Sequence, residues 1–182
     1  MLRHADPTRD GAACAAIYRP YVEDAGTSFE ELAPDADAMT ARIVVFAADH
    51  PWLVAELDGG VAGFAYATHH RARAAYRWAA DVSIYIDSFA QRRGVGRRLY
   101  EALFELLRRQ GLLTACAGIT LPNDASVGLH EALGFKPIGT YRSIGFKARA
   151  WRDVGWWQLQ LAEPGPGAPP DPLGPQWLDQ PA

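Results

Sequence analysis

The chain has 182 residues, with 18 lysines and arginines against 21 aspartates and glutamates, and a formal net charge of −3. That length suits one domain with room for an appendage, and about 70% of the unfolded surface can be buried without staples. With 49% hydrophobic and 21% charged residues the composition is globular rather than disordered, the charge argues against bulk nucleic-acid binding, and no apolar run nears the roughly 18 residues of a membrane span.

In chain order, residues 2–5 read as a short strand. Asp6 and Pro7 follow as N-cap and first helical residue. Ala12, Ala13, Ala16 and Ile17 keep helical spacing, and Pro20 is expected to limit that helix. Residues 22–34 read as loop with Phe29 as an isolated aromatic, and 35–49 as a second helix. The period then changes. Residues 52–57 and 61–68 are β-prone and joined by Asp58-Gly59-Gly60, a hairpin signal. Residues 79–86 form a third such run, in which Val82, Ile84 and Ile86 alternate with Asp81, Ser83 and Tyr85.

Residues 94–110 carry the strongest helical pattern, with Leu99, Leu103, Leu106 and Leu107 on one stripe and Gly111 as its stop. A strand over 113–119 and a short helix over 125–133 follow, then two strands over 135–145 and 151–161. Seven of the 13 prolines fall in the last twenty residues. The division expected is a domain over 1–162 and an irregular Pro/Gly-rich tail over 163–182. The order β-α-α-β-β-β-α-β-α-β-β predicts an α+β sheet domain, not the regular alternation of a doubly wound fold.

Arg3, His4, Asp6, Arg9 and Asp10 crowd the N-terminus without a hydrophobic block, which speaks against a secretory signal. Cys14 and Cys116 are far apart and lack metal spacing. A reducing cytoplasm is expected, with no disulfide framework and no metal. His69 and His70 are adjacent, so on a strand they point to opposite faces and make a poor metal pair.

The sharpest chemical feature is Gln91-Arg92-Arg93-Gly94-Val95-Gly96, between a strand and the strongest helix. Glycines allow a tight turn and close approach of a ligand, and the helix start offers free N–H groups and a positive dipole end. With Arg92, Arg93, Arg97 and Arg98 around it, the loop suits a pyrophosphate. The alternative is a glycine turn within a solvated arginine cluster. Leu99 stands where a dinucleotide fingerprint wants a third glycine, and Gly-Lys-Ser/Thr is missing.

This Gln/Arg-x-x-Gly-x-Gly/Ala loop resembles the acetyl-CoA loop of the GCN5-related N-acetyltransferases (GNAT). Asn123…Ser126 followed by Leu129-His130-Glu131-Ala132-Leu133-Gly134-Phe135 resembles the second CoA-binding motif of that superfamily. Pro51-Trp52-Leu53-Val54-Ala55-Glu56, Val61-Ala62-Gly63, Gly145-Phe146-Lys147 and Trp151-x-Asp153-Val154-Gly155-x-Trp157 resemble the phosphinothricin N-acetyltransferase branch. The resemblance spans residues 2–161 and leaves out the tail.

It implies a GNAT fold: a mixed, mostly antiparallel sheet of about six to seven strands flanked by about four helices. It implies an acetyl-CoA-dependent N-acetyltransferase in which a primary amine attacks the thioester directly. The backbone of Ile84, Tyr85 and Ile86 would hold the acetyl and pantetheine arm. Gln91, Arg92, Arg93, Gly94, Val95, Gly96 and Arg97 would cradle the pyrophosphate, and Asn123 and Ser126 would meet the pantetheine. The branch's base is a glutamate in Trp-x-x-Glu. Here the motif reads Trp78-Ala79-Ala80-Asp81, one methylene shorter, so Asp81 acts directly, acts through water, or is only a strand aspartate. His130 falls on the family's histidine, to relay a proton, to orient the carboxylate, or to serve structure alone. Arg71, Arg73 and Tyr76 resemble a segment able to grip a substrate carboxylate or phosphinate, or form an exposed basic loop. Phe29 walls the acceptor pocket or belongs to the core.

The branch implies a small glutamate-like acceptor (phosphinothricin, methionine sulfoximine or methionine sulfone) and a homodimer. The closing strands and an exposed Trp151, Trp156 and Trp157 suit a homodimer. Alternatives are another acceptor, such as a protein N-terminus or a polyamine, and a non-catalytic acyl-CoA-binding module.

Overall fold

The computed structural model describes residues 1–23 and 26–174. The chain runs β1 (Leu2–His4), α1 (Pro7–Glu23), α2 (Ala36–Ala47), β2 (Trp52–Leu57), β3 (Gly60–His69), β4 (Ala79–Ile86), α3 (Val95–Gln110), β5 (Thr114–Leu121), α4 (Asp124–Ala132), β6 (Lys136–Lys147) and β7 (Ala150–Gln160). The seven strands form one sheet in the order β1-β2-β3-β4-β5-β7-β6. Every pairing is antiparallel except β4 with β5. The expected α+β GNAT architecture is therefore present.

The sheet is covered on both faces. On one side α3 lays Leu99, Leu103 and Leu107, all fully buried, against Ala65, Val82 and Ala117. Each such side chain contributes about 1.5–3 kcal/mol by leaving water. On the other side α1 and α2 bring Cys14, Ile17, Val22, Met39 and Ile43 onto Trp52, Val54 and Phe64. α3 begins and ends on left-handed residues, Gly94 at φ +76° and Gly111 at φ +94°. Glycine takes that conformation without the steric cost of a Cβ. Asp35 and Asn123 cap α2 and α4 through their side-chain oxygens.

Two expectations are corrected, and the tail is tied down. α1 continues through Pro20 to Glu23, because burial of Val22 outweighs the hydrogen bond that proline removes. Of the three tryptophans expected at the surface, Trp151 is 65% exposed but Trp157 is buried, its Nε1 donating to Glu131 Oε1 at 3.2 Å; Trp156 is half-buried. The tail contains neither helix nor strand over 163–174, yet it is tied down. Trp78 Nε1 donates to Pro170 O at 2.9 Å, Arg77 pairs with Asp171 at 3.0 Å, and Leu173 N donates to Gln110 O at 2.8 Å. The remainder of the expected tail, 175–182, lies outside the described residues.

At the far edge, Arg3 clamps three elements. Its guanidinium reaches both Asp10 oxygens, at 2.6 and 2.8 Å, and Glu56 Oε1 at 2.7 Å. The Asp10 side chain is 1% exposed. Burial raises its carboxyl, but the Arg3 fork and the Asp6 N–H together outweigh that and hold it below the usual range. A depressed folded-state pKa gives stability that is present above the unfolded value of about 3.9 and is lost as pH falls through the folded value. Asp10→Asn should cost about 3 kcal/mol at pH 7 in urea unfolding, since it leaves Arg3 short of a buried partner. The same variant should lose less further stability than the wild type between pH 5 and 3.

Candidate active site

β4 and β5 pair over only three positions, ending at Asp81↔Cys116. Beyond that point they diverge and a cleft of about 890 Å³ opens between them. Residues 82–86 of β4 line one wall and residues 117–120 of β5 the other. The start of α3 and the start of α4 close the ends, with Tyr21 and Thr27 from the first segment. That volume suits a small-molecule ligand.

The backbone within the cleft has a definite polarity. Tyr21 Oη donates to Ile86 O at 2.7 Å and accepts from Ile86 N at 3.2 Å, while Asp87 N donates to Ala62 O across to β3. Along a strand these directions alternate. Val82 and Ile84 therefore turn toward β5, Val82 at the last rung of the ladder and Ile84 in the gap, whereas Tyr85 turns toward β3. Of the three β4 residues expected to hold a pantetheine arm, only Ile84 has its backbone groups available. Tyr85 is engaged with β3, and Tyr21 occupies Ile86. The Tyr85 ring is packed between Tyr18, Tyr21 and Phe64.

The glycine loop sits where expected. Gln91, Arg92, Gly94, Val95, Gly96 and Arg97 line the cleft. A Cβ on Gly94 would meet nothing within 4 Å, while one on Gly96 would come within 3.2 Å of Leu129. Gly96 thus lets α3 and α4 approach, and Gly94 leaves open space over the N–H groups. Arg93 departs from the expectation: it turns to Asp58 in the β2–β3 hairpin at 3.4 Å. Asn123 and Ser126 line the cleft, with Asn123 Oδ1 accepting from Ser126 N at 3.2 Å.

Asp81 lies just behind the apex of the cleft, on the face shared with Ser83 and Tyr85. Its Oδ1 is 2.6 Å from His70 Nδ1. Burial pushes the Asp81 carboxyl up, against the pull of His70 and Arg71. Around this pair are Tyr76, whose ring meets His70 edge-on at 5.8 Å, and Trp156 at 6.1 Å. The Arg71 guanidinium stands over the Trp156 ring at 5.6 Å. Trp156 in turn covers Gly118, where a Cβ would lie 3.3 Å from the indole. Arg73 is exposed at the start of a 3-10 turn. Phe29, 40% exposed, lies over Gly145, where a Cβ would collide with its ring. Sequence reasoning missed Tyr21, Trp156 and, above all, His70. The one available signal was that His69 and His70 face apart, and they do: His69 meets Asp49 and His70 meets Asp81.

His130 does not join Asp81. Its Nδ1 donates to Ser126 O at 2.8 Å, since a carbonyl can only accept. Its Nε2 lies 3.0 Å from Tyr100 Oη and accepts from that hydroxyl. It is 3% exposed, and burial lowers its pKa. The expectation that it orients the carboxylate is therefore corrected: it is a neutral wall residue joining α3 and α4. The depressed pKa gives stability that is present above the unfolded value of about 6.5 and is lost as pH falls through the folded one. The melting temperature should therefore fall between pH 7 and 5. His130→Gln should make that decline shallower, with buried His50, also lowered by burial, supplying the rest.

Comparison with known proteins agrees with this geometry. Residues 14–135 match the acetyltransferase (GNAT) family. The chain is 40% identical over 171 residues to a phosphinothricin N-acetyltransferase of Streptomyces viridochromogenes, covering 90% of each. It is 32% identical over 166 residues to an L-methionine sulfoximine/L-methionine sulfone acetyltransferase of Salmonella typhimurium, covering 89% of this chain and 95% of the relative. A GNAT superfamily phosphinothricin acetyltransferase from Sinorhizobium meliloti, crystallised with AcCoA, has a TM-score of 0.86 at 32% identity, covering 94% of this chain and 96% of that one. From its sheet, its splayed strands and its glycine loop to these matches, the chain belongs to the GNAT family of acetyltransferases.

Proposed function

We propose that this acetyltransferase moves an acetyl group from acetyl-CoA to the α-amino group of a small glutamate-like amino acid, of the phosphinothricin, methionine sulfoximine or methionine sulfone type. The observation that carries the reading is the cleft through the sheet. On its α3 side lies a glycine loop with Arg92 and Arg97, fit for a pyrophosphate. On the opposite face lies a partly buried carboxylate, Asp81, among aromatic and cationic side chains. The names of similar proteins support an amino-acid-like acceptor.

In this reading the Ile84 N–H meets the thioester oxygen as charge develops on it. Residues 91, 92 and 94–97 hold the pyrophosphate, and Asn123 and Ser126 flank the pantetheine. Asp81 drives removal of the ammonium proton so that the amine lone pair can attack. Arg71 and Arg73 grip the acceptor's acid group, with Tyr76 and Phe29 as walls. Family members of this kind need no metal. Cytoplasmic placement fits two cysteines that are both buried and free, and among the described residues no helix is long and apolar enough to cross a membrane.

We also propose a homodimer through β6 and β7, the closing edge of the sheet, where Ile138, Tyr141, Ile144, Phe146 and Trp151 are each exposed and Phe146 meets Trp151. Monomers seldom leave so many large apolar side chains uncovered along one sheet edge. Light scattering on a sizing column should give twice the chain mass, and the double variant Phe146→Glu, Trp151→Glu should give a monomer.

The test of activity is thiol release from acetyl-CoA with phosphinothricin, methionine sulfoximine, methionine sulfone, glutamate, spermidine and a short peptide. Turnover is expected with the first three alone. Preference for spermidine or the peptide would overturn the acceptor class. Arg92→Ala and Arg97→Ala should each raise KM for acetyl-CoA about tenfold, worth about 1.4 kcal/mol, with kcat little changed. Asp81→Asn should lower kcat about 10²–10⁴-fold.

A further inference from the structure

Asp81 is one methylene shorter than the glutamate its motif resembles, and it sits behind the cleft rather than in its wall. A carboxylate so placed reaches the acceptor amine poorly. Its partner is a residue that likewise stands outside the cleft wall but abuts Trp156, the ring that covers the cleft-lining Gly118. His70 follows the end of β3, and its Nδ1 is 2.6 Å from Asp81 Oδ1. Their side chains are 16% and 27% exposed. An ionised carboxylate only accepts hydrogen bonds, so Nδ1 carries the proton and Nε2 of the neutral ring carries a lone pair. No described residue bonds Nε2. Edge contacts with Tyr76 and Trp156 fix the ring plane, and the Arg71 side chain lies over the same indole.

We infer that His70 Nε2 is the atom that takes the proton from the acceptor amine, and that Asp81 acts through it by orienting the imidazole. The inference rests on the acetyl-transfer reading above. The ring adds the reach that the shorter carboxylate lacks, and the buried negative charge stabilises the imidazolium that forms. One ammonium proton passes to Nε2. The freed lone pair forms the N–C bond at the thioester carbonyl, and the C–S bond breaks to release a thiolate. The second proton leaves the nitrogen for that sulfur through water, and His70 returns its own to solvent. Among the described residues, Asp81 on β4, Cys116 on β5, and Arg71 and Tyr76 on the connecting segment are the titratable or charged groups around His70. The Cys116 thiol is pushed by burial to about 11 and stays neutral.

His70→Gln keeps an N–H for Asp81 but cannot take a proton. It should lower kcat at least about 10²-fold while KM for acetyl-CoA stays within twofold. His70→Ala should recover activity when free imidazole is added, which a loss of folding would not allow. In His70→Ala the further change Asp81→Glu should also restore turnover, as the longer carboxylate enters the vacated space. A His70→Gln enzyme within threefold of wild-type kcat would overturn the inference and return the proton to Asp81. The nitrogen spectrum of His70 in the wild-type protein gives a readout that needs no acceptor: an Nδ1–H ring supports the dyad, and an Nε2–H ring sinks it. Failure of the acetyl-transfer reading is seen separately, as no thiol release by wild-type enzyme with any amine despite saturable acetyl-CoA binding.

Discussion

The rest of the site depends on how short the β4–β5 pairing is. Three residue pairs hold two strands of a seven-stranded sheet together, and then the ladder stops. A sheet that stops pairing in its middle leaves backbone donors and acceptors without partners, which is costly unless something else meets them. Tyr21 meets those of Ile86. Those of Ile84 open into the cleft. The same divergence joins the two faces of the sheet through one opening, so a group bound against α3 can be reached from the side of α1. A transfer reaction between two separately bound molecules needs that connection.

What holds the strands apart beyond the third pair is packing on both sides. α3 and α4 are drawn together at Gly96 and Leu129 and joined through Tyr100 and His130. Opposite them, the rings of Tyr18, Tyr21, Phe64 and Tyr85 form a rigid aromatic layer. The cleft is thus a gap between two well-filled cores. The cost of the unpaired backbone is offset by the burial of residues such as Leu99 and Tyr100, both fully enclosed.

Much of this was legible in the sequence. Alternation in residues 79–86 located β4 to the residue, and the stripe Leu99, Leu103, Leu107 with its two glycines located α3. Those signals are local, with periods of two and 3.6, and burial reinforces them. The glycine loop was legible for the same reason, because its residues are contiguous. The cluster around Asp81 was not. His70, Asp81, Cys116 and Trp156 come from four stretches of chain and meet only in three dimensions. Arg93 was misplaced because a hairpin 35 residues away claims it. His130 was misread because a helical histidine shows its tautomer only once its neighbours are known.

The chain after β7 has a mechanical role that composition hides. Pro170 and Asp171 anchor Trp78 and Arg77, at the foot of the segment that presents Arg71 and Tyr76. Leu173 is held at both ends of its peptide by Gln110, at the end of α3. The proline-rich strap therefore buttresses the segment that carries Arg71 and Tyr76, and fastens it to the helix whose other end forms the glycine loop. A boundary drawn after β7 on sequence character would cut a tension member. Proteins trimmed or fused there would keep their core yet lose the anchors of Arg77, Trp78 and Gln110.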